Sequence, residues 1–129
     1  MALKINLKPG ERIVVNGAVL ENADRRANLL VRNRASILRQ KDIMQPDEVT
    51  SPARHVYFHV MMMYLDPDDR AGHEALFTRR LTEFIGAISS PEGLRLCVRI
   101  GEHVTAGAFY QALVACRKLI EFERERLGQ

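Results

Sequence analysis

Four histidines, two cysteines and a crowd of cations near the N-terminus are the side chains with chemistry to offer. His55 and His59 stand four apart, so on a helix both imidazoles face the same way, as a two-point metal site would require. No third ligand lies near them in sequence, and paired histidines on a crowded helix serve equally well as packing or rim residues. His73 and His103 are isolated, with no local nucleophile to activate. Cys97 and Cys116 form no Cys-x-x-Cys pair and fall in apolar-periodic segments. Free, buried thiols in a reducing compartment are the simplest account, with a disulfide as the alternative. Asp68-Asp69 stands at a helix start, where acids complement the helix dipole. The run of acids and arginines from Glu121 to Arg126 reads as a solvated helix end. There is no Gly-rich phosphate loop and no nucleophile elbow. The expectation is a protein that is not an enzyme, with no metal and no cofactor.

The cations carry a stronger signal. Residues 1–44 hold nine Lys or Arg against four acids, a net charge of +5, while the remainder nets −2. A positive field confined to one third of the chain points to polyanions as partners. Strand alternation puts Lys4, Asn6 and Lys8 on one face, and Arg39-Gln40-Lys41 closes the basic segment. If these edges meet, they form a ridge of donors suited to phosphates and to the exposed bases of single-stranded RNA loops. The candidate set is Lys4, Asn6, Lys8, Arg12, Arg25, Arg26, Arg32, Arg34, Arg39 and Lys41. No Phe, Trp or Tyr precedes Tyr57, which disfavours base stacking of the kind used by RRM and OB folds. The competing account is an ordinary solvated sheet face.

The elements that must position these groups are legible from periodicity. Residues 2–43 read as five short strands: 2–7, 11–15, 18–21, 28–32 and 36–39. Lys8-Pro9-Gly10 breaks the first, and Asn16-Gly17 supplies the strongest hairpin signal, because both residues tolerate positive φ. A meander is the expected arrangement, its edges covered by a partner or by helices. Residues 46–50 look like a hinge. From Ser51 the period becomes helical, with Ser51-Pro52, Asp66-Pro67 and Ser90-Pro91 as starts. Gly101 is expected to weaken the third helix near its end. The segment from about Thr105 to Leu127 is the clearest amphipathic pattern. The predicted class is α+β: a basic antiparallel β module over 1–45, then about four antiparallel helices over 51–129.

The first helix is apolar nearly all round from Val56 to Leu65, so something must cover it. Tyr57, Met61, Met62 and Tyr64 are therefore candidates for a protein-interaction face, with core filling as the competing use of the methionines. The first twenty residues lack a secretory pattern. The longest apolar run, Val60 to Leu65, falls far short of the roughly 20 residues that span a bilayer. A cytoplasmic location away from membranes is expected.

Several blocks resemble the FlbT family of flagellum-biosynthesis repressors. They are Leu7-Lys8-Pro9-Gly10-Glu11, Asn16-Gly17-Ala18-Val19, Asp24-Arg25-Arg26, Lys41 to Pro46, Thr50 to Arg54, Met63 to Asp66, Tyr110 to Leu113 and Arg117 to Ile120. The resemblance implies a post-transcriptional regulator that associates with the 5′ leader of flagellin mRNA, promotes its decay and cooperates with the small protein FlaF. Residues 3–44 also resemble, more weakly, the carbon storage regulator CsrA, an interlocked β dimer that binds RNA leaders along its first and last strands. That likeness implies a homodimer through the β module. This sequence departs from it at Gln40, where the other family carries Arg. An alternative reading makes the helices a chaperone-like module for FlaF or flagellin, with only an indirect effect on mRNA. A purely structural flagellar part fits poorly with the basic cluster.

Overall fold

A hairpin forms where the sequence signals one. Asn16 (φ 50°) and Gly17 (φ 85°) turn the chain between β2 (Arg12–Val15) and β3 (Ala18–Glu21), which pair antiparallel with Val15 opposite Ala18 and Arg12 opposite Glu21. The positive φ values match a primed turn and the right-handed twist of its strands. The computed structural model describes residues 3–127. Ala2, expected to open the first strand, and Gly128 and Gln129 of the helical module lie outside the described residues.

The five strands do not form a meander. β1 (Leu3–Leu7) pairs antiparallel with β4 (Ala27–Val31), and β2 is flanked by β3 and by β5 (Ile37–Arg39) in a separate three-stranded sheet. Only β2 and β3 are joined by a two-residue turn; the longer links let β1 and β5 find partners distant in sequence. Ile5, Leu7 and Ile13 are buried together, with Val15, Val31 and Ile37 packed against them. The opposite face of β1 turns Lys4 and Asn6 outward.

The chain divides into two compact units, residues 1–43 and 44–129. The stretch read as a hinge contains a 3₁₀ turn, Pro46–Glu48, closed by a capping box in which the Glu48 carboxylate accepts from the Gln45 amide at 2.7 Å. It groups with the helices.

In the second unit, α1 (Pro52–Leu65) begins as its sequence predicts: Ser51 Oγ accepts from the Arg54 amide at 3.3 Å, with Pro52 in the first turn. A 3₁₀ turn at Pro67–Asp69 leads into α2 (Arg70–Ala87), followed by α3 (Pro91–Thr105) and α4 (Phe109–Leu127). α1 packs on α2 and α4, and α4 packs on α3. Ala53, Val56 and Val60 of α1 are completely buried, which accounts for its lack of a polar face.

Gly101 lies inside α3, near its C-terminal end. The helix runs on to Thr105 and stops at Gly107, whose φ of 74° lets its amide reach Val104 O and the next amide reach His103 O. The sharpest division between faces falls on α3, where Gly93, Cys97, Ile100 and Val104 form one buried stripe. α4 is covered over a wider arc that includes both Leu113 and Cys116.

Candidate nucleic-acid interface

The end of β1 is held by a small polar lattice. Gly10, at φ 76°, donates to Asn22 O at 2.6 Å, and the Asn22 amide donates to Glu11 O at 2.9 Å. The Asn22 side-chain amide donates to the carbonyls of Leu7, Lys8 and Arg25. Glu11 accepts from the Lys8 amide at 2.9 Å and from Arg39 Nη2 at 3.3 Å. That backbone bond, with the nearby Arg39 and Lys8 charges, holds the Glu11 carboxyl below its usual range despite some desolvation.

The predicted cations therefore separate into two groups. Arg39 Nη2 also donates to Asn6 O at 2.7 Å, and Arg26 Nη1 donates to Asn6 Oδ1 at 3.1 Å. Arg12 Nε lies 2.8 Å from Glu21 Oε1 across the hairpin, while the Arg12 amide donates to Gln40 Oε1 at 2.7 Å. Arg12, Arg26 and Arg39 are thus engaged within the fold. Lys4, Lys8, Arg25, Arg32, Arg34 and Lys41 are exposed and make no ion pair among the described residues.

β1 and β5 lie in different sheets, so the first and last strands do not share a ladder. Their ends are joined instead by the Arg39–Asn6 bond. Glu11, Asn22 and Gln40 organise this corner; charge counting registers Glu11 only as one acid among four and overlooks the two amides. Asn22 had a visible turn signal. Gln40 stood out only as a departure from a basic pattern.

The interaction face expected on α1 is partly consumed by the chain itself. Tyr57 and Met61 are buried, and Met61 Sδ accepts from the Met44 amide at 3.3 Å. Met62 and Tyr64 remain partly exposed, with the Tyr64 ring 6.0 Å from that of Tyr110.

His55 and His59 stack at 6.4 Å between ring centroids, but the group of three potential metal-ligating side chains among the described residues is Asp66, Asp69 and His73. Those acids precede α2 without making a side-chain cap, and His73 Nε2 lies 3.4 Å from Asp66 Oδ2, which suits carboxylates placed at the favourable end of the helix dipole. Cys97 and Cys116 are free and buried; burial pushes the Cys97 thiol up to about 11 and the Cys116 thiol higher, so neither is a ready nucleophile.

The family model described as Flagellar protein FlbT matches residues 3–127. The chain belongs to the FlbT family. A flagellum biosynthesis repressor protein FlbT of Caulobacter vibrioides (strain ATCC 19089 / CIP 103742 / CB 15) is 56% identical over 128 residues, covering 99% of this chain and 91% of that one. Probable flagellum biosynthesis repressors of Bradyrhizobium diazoefficiens and of Rhodopseudomonas palustris (strain TIE-1) are 38% and 36% identical, covering all of this chain and 87% and 100% of theirs. No solved structure matches the chain. No helix among the described residues of this FlbT chain is long and apolar enough to cross a membrane. The FlbT match runs through both units, so the basic β unit and the helices belong to one family architecture.

Proposed function

We propose that this chain is a cytoplasmic post-transcriptional repressor of flagellin synthesis. It associates with the 5′ leader of flagellin mRNA and promotes its decay, coupling flagellin supply to flagellum assembly. The reading rests on six exposed cations outside any ion pair among the described residues, in a chain whose relatives are named flagellum biosynthesis repressors. Lys4, Lys8, Arg25, Arg32, Arg34 and Lys41 neutralise phosphates, while Arg12, Arg26, Arg39 and Asn6 hold the surface in shape. With no aromatic platform in the β unit, affinity is mainly electrostatic.

Gel-shift titration on a flagellin leader RNA at two salt concentrations tests this. The log–log salt slope should be about −0.7 per phosphate contacted. The combined variant K8E/R32E/R34E/K41E should weaken binding more than tenfold. Unchanged affinity would sink the assignment.

A second role is supported by the helices. Met62 and Tyr64 leave part of α1 open, which favours a hold on FlaF or flagellin, and through it an indirect effect on mRNA. Pull-down from nuclease-treated extract separates the two roles: if every partner disappears with the RNA, the protein-binding role is wrong. Homodimerisation through the β unit is supported by Val19, Leu20 and Leu30, exposed by 65%, 44% and 55% on β3 and β4. Light scattering should then give twice the chain mass, and Leu30→Glu should restore the monomer.

A further inference from the structure

The helical unit contains a cleft of about 760 Å³. It lies where the start of α1, the ends of α2 and α4 and the link into α3 converge. That volume falls inside the range of about 300–1,000 Å³ typical of small-ligand sites. Pro52, Phe84, Ile88 and Phe122 give it an apolar wall. Gly93 lets that wall close up, because a Cβ there would sit 2.9 Å from Phe122 Cε2 and collide with Ile88 Cδ1.

The charges around the cleft do not cancel residue by residue. Glu123 is buried and accepts from the Ala53 amide at 3.0 Å, so its charge is spent on the start of α1. Glu83 lies 3.3 Å from Arg80 Nη1 and 3.8 Å from Arg79 Nε. Arg126 has no ion pair among the described residues. Its guanidinium lies 5.1 Å from the Phe122 ring centroid, and Nη2 donates to Ser90 Oγ at 3.4 Å. Ser90 stands at the start of α3 without capping it, so the favourable end of that dipole faces the same corner.

We propose that this cleft binds a small amphipathic monocarboxylate, its acid group on Arg126 and Ser90 and its apolar body against Phe84, Ile88 and Phe122. A guanidinium fork matches a carboxylate in shape. A monoanion matches the single charge that Arg126 leaves without an ion pair, whereas a dianionic phosphate brings a second charge for which the cleft has no such partner among the described residues. The site lies wholly within the helical unit and is independent of the RNA reading, so failure of either leaves the other standing.

Calorimetric titration of the full chain without RNA, using decanoate and decan-1-ol as probes, tests the site. Decanoate should bind at least tenfold more tightly than the alcohol. Arg126→Gln should remove that preference, and Ala87→Trp, at an exposed position on the cleft wall, should abolish binding of both. Unchanged far-ultraviolet circular dichroism and thermal transitions keep these losses local. No binding of decanoate, equal affinity for acid and alcohol, or indifference to both substitutions overturns the proposal. A blocked Leu-Phe-Leu peptide with a free C-terminal carboxylate is the remaining arm: if it binds while decanoate does not, the cleft captures chain ends, and the small-ligand assignment is wrong.

Discussion

Arg39 and Lys41 sit two positions apart, yet substitution should separate them. Arg39→Gln removes the donor to Asn6 O and the partner of Glu11, and should cost about 1–2 kcal/mol in urea unfolding, discounted for partial exposure. Lys41→Gln touches no such bond and should stay within about 0.5 kcal/mol while weakening RNA binding. His59 makes a pH prediction. Burial, then the charges of His55, Arg80 and His73, hold its imidazole below the ordinary 6.5. The unfolded chain regains the ordinary value, so below pH 6.5 it takes up a proton that the folded chain refuses, and stability falls with pH. His59→Leu should flatten the loss of urea-unfolding stability that sets in as pH drops below 6.5. An unchanged slope would mean another group carries it. Residue types were readable before any fold was known, since the cations and the lack of aromatics need only counting. Which cations are engaged was not, because Arg12–Glu21 and Arg39–Asn6 depend on strand register.

At the scale of elements, short-range signals performed well. Asn16-Gly17 made its hairpin and Ser51-Pro52 started its helix, both from contacts within a few residues. Gly17→Ala should cost about 1 kcal/mol or more, because an added Cβ opposes a φ of 85°. The change in thermal midpoint measures it. The meander failed because alternation says which face a strand buries and nothing about its neighbour; β1 found β4, some twenty residues on. A glycine ends a helix when the backbone turns left-handed there, as at Gly107, whereas Gly101 stays helical beside Leu81.

At the scale of the molecule, the period changes from strand-like to helical near residue 45, and the two compact units divide after Ile43. The cleft was not legible, because its walls come from segments as far apart as Val49 and Arg126. One bond spans a similar distance: Glu123 of α4 accepts from Ala53 in the first turn of α1. Glu123→Ala leaves that buried amide without its acceptor and should cost about 1–3 kcal/mol in the unfolding of the helical unit. The same bond bears on the order of events during synthesis. All strand pairings of the first unit join residues before position 40, so that unit can close while the rest of the chain is still being translated. α1 emerges next but waits for a carboxylate seventy residues downstream. The basic unit can therefore be complete before that long-range bond is able to form, and the proposed contact with a polyanion does not have to wait for the helices.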